Sequence, residues 1–203
     1  MRVGGAGDGQ GGLRDVSEAS GLRGVDPAYA RGVVLVDIDL DGDLDAYVAN
    51  DSVDNHLWVN DGAGVLYEMG TRAGVASDMA GRAQAGMGLD AGDLDDDGDL
   101  DLVVTNFSGE TNALYRQDGP RLFRDVTTTA GLGAVSRGLL GWGVHMADFD
   151  ADQTVDLAFA NGHVYPQADQ LGAGQSYAQQ PLLLRRDEAG RFQAEPLLDK
   201  PLV

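Results

Sequence analysis

The stretch Asp93-Leu-Asp-Asp-Asp-Gly-Asp-Leu-Asp101 decides how the rest of the chain is interpreted. Its side-chain carboxylates stand at loop positions 1, 3, 5 and 9, a glycine stands at position 6, and the carbonyl group of position 7 is free to turn inward. Ca²⁺ takes six to eight oxygen ligands at about 2.3–2.6 Å, and glycine permits the positive-φ bend that brings positions 5 and 7 to one point. The stretch predicts a calcium loop in which Asp96 only adds charge at the rim.

The same loop occurs three times. Residues 37–45 match at every ligand position, and residues 148–156 match except that Gln153 replaces the glycine. The loops begin 56 and 55 residues apart. A single acidic string is also compatible with a solvated turn, but a constant spacing indicates a repeat with a shared role. In the third loop both interpretations stay open, because Gln153 must adopt the bend at a cost of about 1 kcal/mol.

The sequence around the loops is typical of β-hairpins. An EF-hand would carry a glutamate at position 12 and flanking helices, whereas position 12 is Val48, Val104 and Phe159. Residues 33–36, 46–49 and 102–105 are rich in valine and alanine, as strands are. Each loop is therefore predicted at the tip of a hairpin, which excludes helix switching of the calmodulin type.

Further repeated segments predict four strands in about 55 residues, the size of a propeller blade. Leu13, Leu66 and Phe123 each open a short strand followed by a turn that ends in Gly-Leu or Gly-Val, with a degraded copy at Phe192. Gly-x-Gly at 86–88 and 141–143 suits an innermost strand, where neighbouring backbones come close. We predict an all-β chain forming a single partial β-propeller over 1–203. Its parts are a trailing strand in 1–30 and blades at 31–80, 81–135 and 136–203, the last with a long loop at 161–180.

This strand order places the calcium loops and the Asp-Gly turns on one side of the blades. The loops at 50–55, 106–112 and 161–180 then gather on the other side, which is the predicted ligand surface.

Composition narrows the function classes. The formal charge is −19, and the three loops hold 15 of the 33 acidic residues. Nucleic acid and anionic lipid both select clustered Lys and Arg, and Lys200 is the only lysine. There is no cysteine and no run of 18 apolar residues, so neither a disulfide framework nor membrane insertion is expected.

The pattern Gly-x-Gly, then Asp-x-Asp-x-Asp-Gly-x-x-Asp, then Ala-Asn and Asp-Gly resembles the FG-GAP/VCBS repeat of integrin-α-type β-propellers over residues 13–196. More narrowly, Ala160-Asn-Gly-His-Val-Tyr-Pro166 is similar to bacterial relatives of cartilage acidic protein, which often carry an ASPIC/UnbV domain. The resemblance implies a seven-bladed ring in an extracellular, cell-surface or periplasmic protein. Because the chain holds three full repeats and partial ones, it is expected to be part of a longer ring.

The resemblance also implies structural Ca²⁺ in the hairpin loops, with Asp43, Asp99 and Thr154 binding through their carbonyl oxygens. The full implied ligand set is Asp37, Asp39, Asp41, Asp43, Asp45, Asp93, Asp95, Asp97, Asp99, Asp101, Asp148, Asp150, Asp152, Thr154 and Asp156.

The favoured function is a calcium-stabilised module that binds a protein or glycan and has no catalytic activity, with self-association through open blade edges as a further expectation. A hydrolase is the second hypothesis. Of His56, His145 and His163, we expect His145 to be packed or to line a channel, and His163 to stabilise a turn. No Gly-x-Ser-x-Gly, Walker or His-Glu-x-x-His motif is present.

A lectin is the third hypothesis, although Trp58 and Trp142 are expected to be wedges between blades rather than stacking platforms.

Overall fold

The computed structural model describes residues 5–7, 12–170 and 175–195. Most of this chain forms antiparallel sheets in which each strand pairs with the next along the sequence. The strands are β1 (Gly5–Gly7), β2 (Leu13–Asp15), β3 (Ala30–Val36), β4 (Asp45–Asn50), β5 (His56–Asn60), β6 (Leu66–Glu68), β7 (Leu89–Gly92), β8 (Asp101–Val104), β9 (Ala113–Gln117), β10 (Phe123–Asp125), β11 (Gly141–Ala147), β12 (Asp156–Asn161), β13 (Leu182–Arg186) and β14 (Phe192–Ala194).

Three four-stranded sheets form the body of the molecule, and we call them the first blade (β3–β6), the second blade (β7–β10) and the third blade (β11–β14). β1 and β2 form a separate two-stranded piece before them. Within the described residues, helical structure is limited to α1 (Gly70–Ala73), α2 (Leu132–Ser136) and a 3₁₀ turn at Pro166–Gln170. The predicted all-β class with four-stranded propeller blades is confirmed.

The second strand of the second blade, β8, is buried on both faces, because the first and third blades pack on either side of it. In β8, Leu102 and Val104 belong to the core shared with the first blade, whereas Val103 belongs to the core shared with the third. Side chains alternate between the two faces of a strand. Tyr47 and Tyr115 fill the first of these cores without any exposed surface. The near-continuous apolar run of β8 follows from this double burial.

Glycines of the innermost strands allow close approach between blades, as predicted. A Cβ atom added to Gly88 would lie 1.8 Å from the carbonyl oxygen of Trp142, and one added to Gly32 would lie 2.4 Å from that of Met87. β11 and β3 each contain a register shift at this level. Only glycine leaves room for the neighbouring backbone here.

The repeated Gly-Leu/Val turns also have a structural explanation. Gly21, Gly74 and Gly131 all have positive φ, between 82° and 86°. A Cβ atom on each would meet the carbonyl oxygen of the first residue in a fourth strand, at 2.7–2.9 Å. The turn glycine of one unit therefore packs on the outermost strand of the next, which fixes the spacing between units.

Candidate metal centre

The three acidic loops connect the first and second strands of the blades, so each lies at a hairpin tip as predicted. In each loop three carboxylate groups offer oxygens that all lie within 4.8 Å of one another. In the first two loops these groups come from positions 1, 3 and 5, and in the third from positions 1, 3 and 9. The clusters are Asp37, Asp39 and Asp41; Asp93, Asp95 and Asp97; and Asp148, Asp150 and Asp156.

The first aspartate of each loop folds the loop back on itself. The Asp37 carboxylate accepts hydrogen bonds from the backbone N–H groups of Asp41 at 3.0 Å and Gly42 at 2.9 Å. The same pattern recurs in the second loop at Asp93 and in the third at Asp148. These bonds draw positions 5 and 6 toward position 1, so the loop is bent by its own carboxylates.

The predicted bend at position 6 is present in all three loops. Gly42 and Gly98 have φ of 94° and 90°, and Gln153 takes the same conformation at 74°. A second bend at position 4 was missed: Leu40, Asp96 and Ala151 also have positive φ, at 59–66°. No sequence signal marks it, because only aspartate among these three is a residue that tolerates this region.

The ninth aspartate ties the hairpin to the third strand. Asp45 accepts hydrogen bonds from the Ile38 N–H at 2.9 Å and the Asn60 N–H at 2.8 Å, one on each oxygen. Asp101 and Asp156 make the equivalent pairs of bonds. These three carboxylates are almost fully buried. They therefore hold the frame on which the rest of the loop is built.

Burial gives two of these aspartates an unusual proton affinity. Desolvation raises the pKa of Asp45, and it raises the pKa of Asp101 to about 7, with further contributions from Asp95 and Asp97. Because the pKa of Asp101 is higher in the folded state than in the unfolded state, its contribution to the free energy of unfolding falls as pH rises from about 4 to about 7. A bound divalent cation would offset the cost of the buried charge.

Replacing Asp45 with alanine is expected to destabilise the fold by about 2–6 kcal/mol even in chelator, because two buried N–H groups lose their acceptor at about 1–3 kcal/mol each. Urea unfolding followed by circular dichroism measures this. Asp43→Ala is the control from the same loop, with an expected change within about 0.5 kcal/mol. Equal urea midpoints for the two variants would contradict this role.

Position 3 provides the strongest sign that the loop can bind a cation. The Asp39 side chain is only 2% exposed, and its Oδ1 has no hydrogen-bond partner among the described residues. Its Oδ2 lies 2.6 Å from Nε of Arg121, which belongs to the β9–β10 turn of the next blade. Burial raises the pKa of Asp39 despite this arginine. A buried carboxylate oxygen without a donor is the arrangement that a cation satisfies.

Arginine partners of position 3 were not anticipated from the sequence. Arg116 lies 3.1 Å from Asp95, and Arg185 lies 2.5 Å from Asp150. Both arginines come from the third strand of the same blade, and the pairing depends on a cross-strand register that no local motif reveals. The Arg121–Asp39 contact confirms that the third–fourth-strand turns lie on the same side as the acidic loops, which we call the metal side.

The loops of neighbouring blades are joined through position 2. Nε2 of Gln117 donates to the carbonyl oxygen of Ile38 at 3.0 Å, and Nη1 of Arg186 donates to that of Leu94. Gln117 and Arg186 occupy equivalent ends of the third strand, and their backbone N–H groups bind the ninth aspartates Asp101 and Asp156. The first and second loops are thus each braced by the following blade.

Oxygen donors converge in all three loops, and the donor set suits Ca²⁺. The predicted ligand Asp152 lies outside the third cluster, where its Oδ1 accepts bonds from the Thr154 N–H and hydroxyl. The carbonyl ligation predicted for Asp43, Asp99 and Thr154 stays a prediction. Their N–H groups donate to position 5, which holds position 7 inside the loop.

On the opposite side, His163 is buried and its Nδ1 accepts a hydrogen bond from the Tyr165 N–H at 3.1 Å. Its Nε2 lies 3.3 Å from the Ser108 hydroxyl. These contacts agree with the predicted turn-stabilising role. His145 is exposed on β11, the innermost strand of the third blade, and its Nδ1 lies 2.8 Å from Asp90. Its ring is therefore not packed in a core.

One of the two tryptophan predictions is wrong. Trp58 is 5% exposed and packs with Ala46 and Leu66, as a wedge should. Trp142 is 44% exposed, and its Nε1 donates to the Gly162 carbonyl at 2.8 Å. Trp142 stands at the register shift of β11, which turns its ring out of the blade interface.

In the described part of the chain, no helix has the length and apolar character needed to cross a membrane.

Comparison with known proteins places these loops in a family context. An FG-GAP-like repeat model matches residues 37–104 and again 93–159, together more than half of the chain. No curated protein matches the chain. A solved Agrocybe aegerita lectin, described as recognising non-reducing terminal N-acetylglucosamine, is 18% identical with a TM-score of 0.49. That likeness covers 94% of this chain, which spans 45% of the lectin chain. By its repeats, this chain belongs to the FG-GAP-like repeat family.

Proposed function

We propose that the chain is a calcium-binding propeller module that serves molecular interaction, with structural Ca²⁺ in its three hairpin loops and no catalytic activity of its own. The observation that carries the proposal is the buried, unpartnered Oδ1 of Asp39, which belongs to a carboxylate cluster. Each loop collects three carboxylates at short range, and like charges so close repel unless a cation lies between them.

Calcium in these loops would stabilise the blades. The loop joins the first and second strands, its ninth aspartate reaches the third strand, and position 2 accepts a bond from the next blade. An ion that binds the folded loop but not the unfolded chain adds its binding free energy to the free energy of unfolding. The positions that would hold it are 1 and 3 by side chain in every loop, 5 by side chain in the first two loops, 9 by side chain in the third, and 7 by carbonyl oxygen.

The interaction role rests on the surface opposite the metal side. There Trp142, Tyr165 and Tyr177 are all partly exposed, and aromatic side chains with one polar end are enriched in interfaces. The exposure of Trp142 also favours a lectin-like alternative, which a glycan array in calcium buffer tests. An extracytoplasmic location, kinship with cartilage acidic protein relatives and a seven-bladed ring are parts of the same proposal.

The Asp39→Asn substitution tests the proposal. In chelator we expect an unchanged or slightly higher melting temperature, because the raised pKa shows that the charged carboxylate is disfavoured there. Millimolar calcium is expected to raise the melting temperature of the variant by about a third less than it raises that of the wild type, since one of three loops is disabled. Differential scanning calorimetry measures both states.

Asp96→Asn is the matched control, because it removes the same charge from the exposed rim of a loop and asparagine tolerates the positive φ at this position. Calcium should raise the melting temperature of Asp96→Asn as much as it raises that of the wild type. If Asp39→Asn gained as much from calcium as the wild type, the aspartate cluster would not be the metal site.

A further inference from the structure

A cavity of about 400 Å³ opens between the second and third blades on the metal side. Its floor is apolar and includes Leu94 and Leu114, which are almost fully buried. Its rim is formed by β9 and β10 of the second blade and by the β13–β14 turn of the third. We call it the interblade cavity.

The lining of the cavity is rich in arginine, which is unusual in a protein as acidic as this one. Three of the chain's 14 basic residues line it, namely Arg116, Arg124 and Arg186, although the net charge of the chain is −19. The acidic residues on its lining are Asp95 and Glu188. An apolar floor beneath guanidinium groups suits a ligand with an apolar body and a carboxylate, because the planar guanidinium donates to both carboxylate oxygens at once.

Several of the guanidinium donors are not used. Nε of Arg116 is buried and has no hydrogen-bond partner among the described residues. Arg186 donates through Nη1 to the Leu94 carbonyl, and within the described chain no bond from its other nitrogens is found. Arg124 is more than half exposed at the cavity mouth, where its Nε and Nη2 both donate to Asp118, which also accepts a bond from Nη2 of Arg116. Unsatisfied buried N–H groups favour an acceptor from outside.

The cavity shares one residue with the second calcium loop. Asp95 lines the cavity, holds Arg116 at 3.1 Å and belongs to the loop's carboxylate cluster. A calcium ion bound by Asp95 would offset its negative charge, so that the three arginines would be opposed at the cavity only by Asp118 and Glu188. Anion binding in the cavity would then depend on calcium in the loop beside it.

We propose that the interblade cavity binds a carboxylate ligand with a small apolar body, through Arg116, Arg124 and Arg186, and that calcium in the second loop strengthens this binding. The inference rests on the proposed calcium function. It names a ligand chemistry for the metal side, which is separate from the aromatic surface on the opposite side.

Titration of the whole chain with benzoate, followed by ligand-observed NMR, tests the proposal. We expect saturable binding in millimolar calcium, weakened at least about tenfold by chelator, and no saturable binding of benzamide, which has the same shape without the charge. N-acetylleucine, which resembles a peptide C-terminus, is titrated in parallel. The stronger of the two acids shows whether a free acid or a peptide end fits better.

The Arg116→Gln, Arg124→Gln double variant should weaken benzoate binding at least about tenfold. Its control is Arg82→Gln, which removes a charge from an exposed arginine outside the cavity and should bind as the wild type does. Both arginines of the double variant are partly exposed, and circular dichroism verifies folding.

Absence of saturable benzoate binding, or equal binding by the double variant, would overturn the cavity assignment while calcium titration still reports on the loops. Equal binding with and without chelator would overturn the calcium link. If calcium itself did not bind to the chain, the proposed function would be contradicted, and so would the dependence of benzoate binding on calcium.

Discussion

Chelation of calcium is expected to lower the melting temperature of this protein by about 10 °C or more, relative to the same buffer with calcium near 10 mM. Extracellular calcium modules have dissociation constants on the order of 10⁻⁴–10⁻³ M. At such affinities each occupied loop adds about 1.4–2.7 kcal/mol to the free energy of unfolding. Three loops of this kind therefore add about 4–8 kcal/mol.

Specificity controls separate ion coordination from simple screening of the acidic surface. Sodium chloride at equal ionic strength should raise the melting temperature less than calcium does. Screening acts on exposed charges and leaves a buried oxygen such as Asp39 Oδ1 without a partner. Mg²⁺ should also give less, since it requires near-octahedral ligands at about 2.0–2.1 Å. Equal shifts with sodium, magnesium and calcium would mean that the loops do not coordinate calcium.

Replacing Gly88 with alanine is expected to destabilise the protein by about 3–5 kcal/mol, the second large effect. The new Cβ atom would stand 1.8 Å from the Trp142 carbonyl oxygen. That oxygen belongs to the backbone of β11 at its register shift, and it accepts a hydrogen bond from the Thr105 hydroxyl at 3.4 Å. The innermost strands of the second and third blades would have to separate, and urea unfolding monitors the loss.

Gly143 provides a matched control, because it is the equivalent glycine of the next Gly-x-Gly segment. A Cβ atom there would meet only the Ala160 side chain, at an ordinary 3.8 Å. Gly143→Ala should therefore change stability by less than about 1 kcal/mol. Comparable losses in both variants would show that the cost comes from strand propensity and not from contact between blades.

The repeat unit was accessible from the sequence because its signals are local. Glycine at position 6, valine-rich flanks and a constant spacing all report on conformation within a few residues, so the hairpin tips and the four-stranded blades could be predicted. The bend of Gln153 followed from the same reasoning and is present at φ 74°. The positive φ of Leu40 and Ala151 could not be predicted, since nothing in those side chains favours it.

Features that depend on contacts between strands or blades were out of reach. The pairing of Asp39 with Arg121 joins residues of different blades, and the bracing of Ile38 by Gln117 does the same. Trp142 was placed incorrectly because a register shift, not residue type, decides where its ring points. The ninth aspartate accepts two backbone N–H groups in every loop, which no local motif reveals, and its predicted ligand role stays a prediction.

Equilibrium dialysis against calcium, with metal analysis of the retained protein, tests the central claim most directly. The three clusters predict saturation at three ions per chain. In the Asp39→Asn variant the same measurement should give two. Binding of no calcium at millimolar concentration, or an identical count in both proteins, would contradict the account.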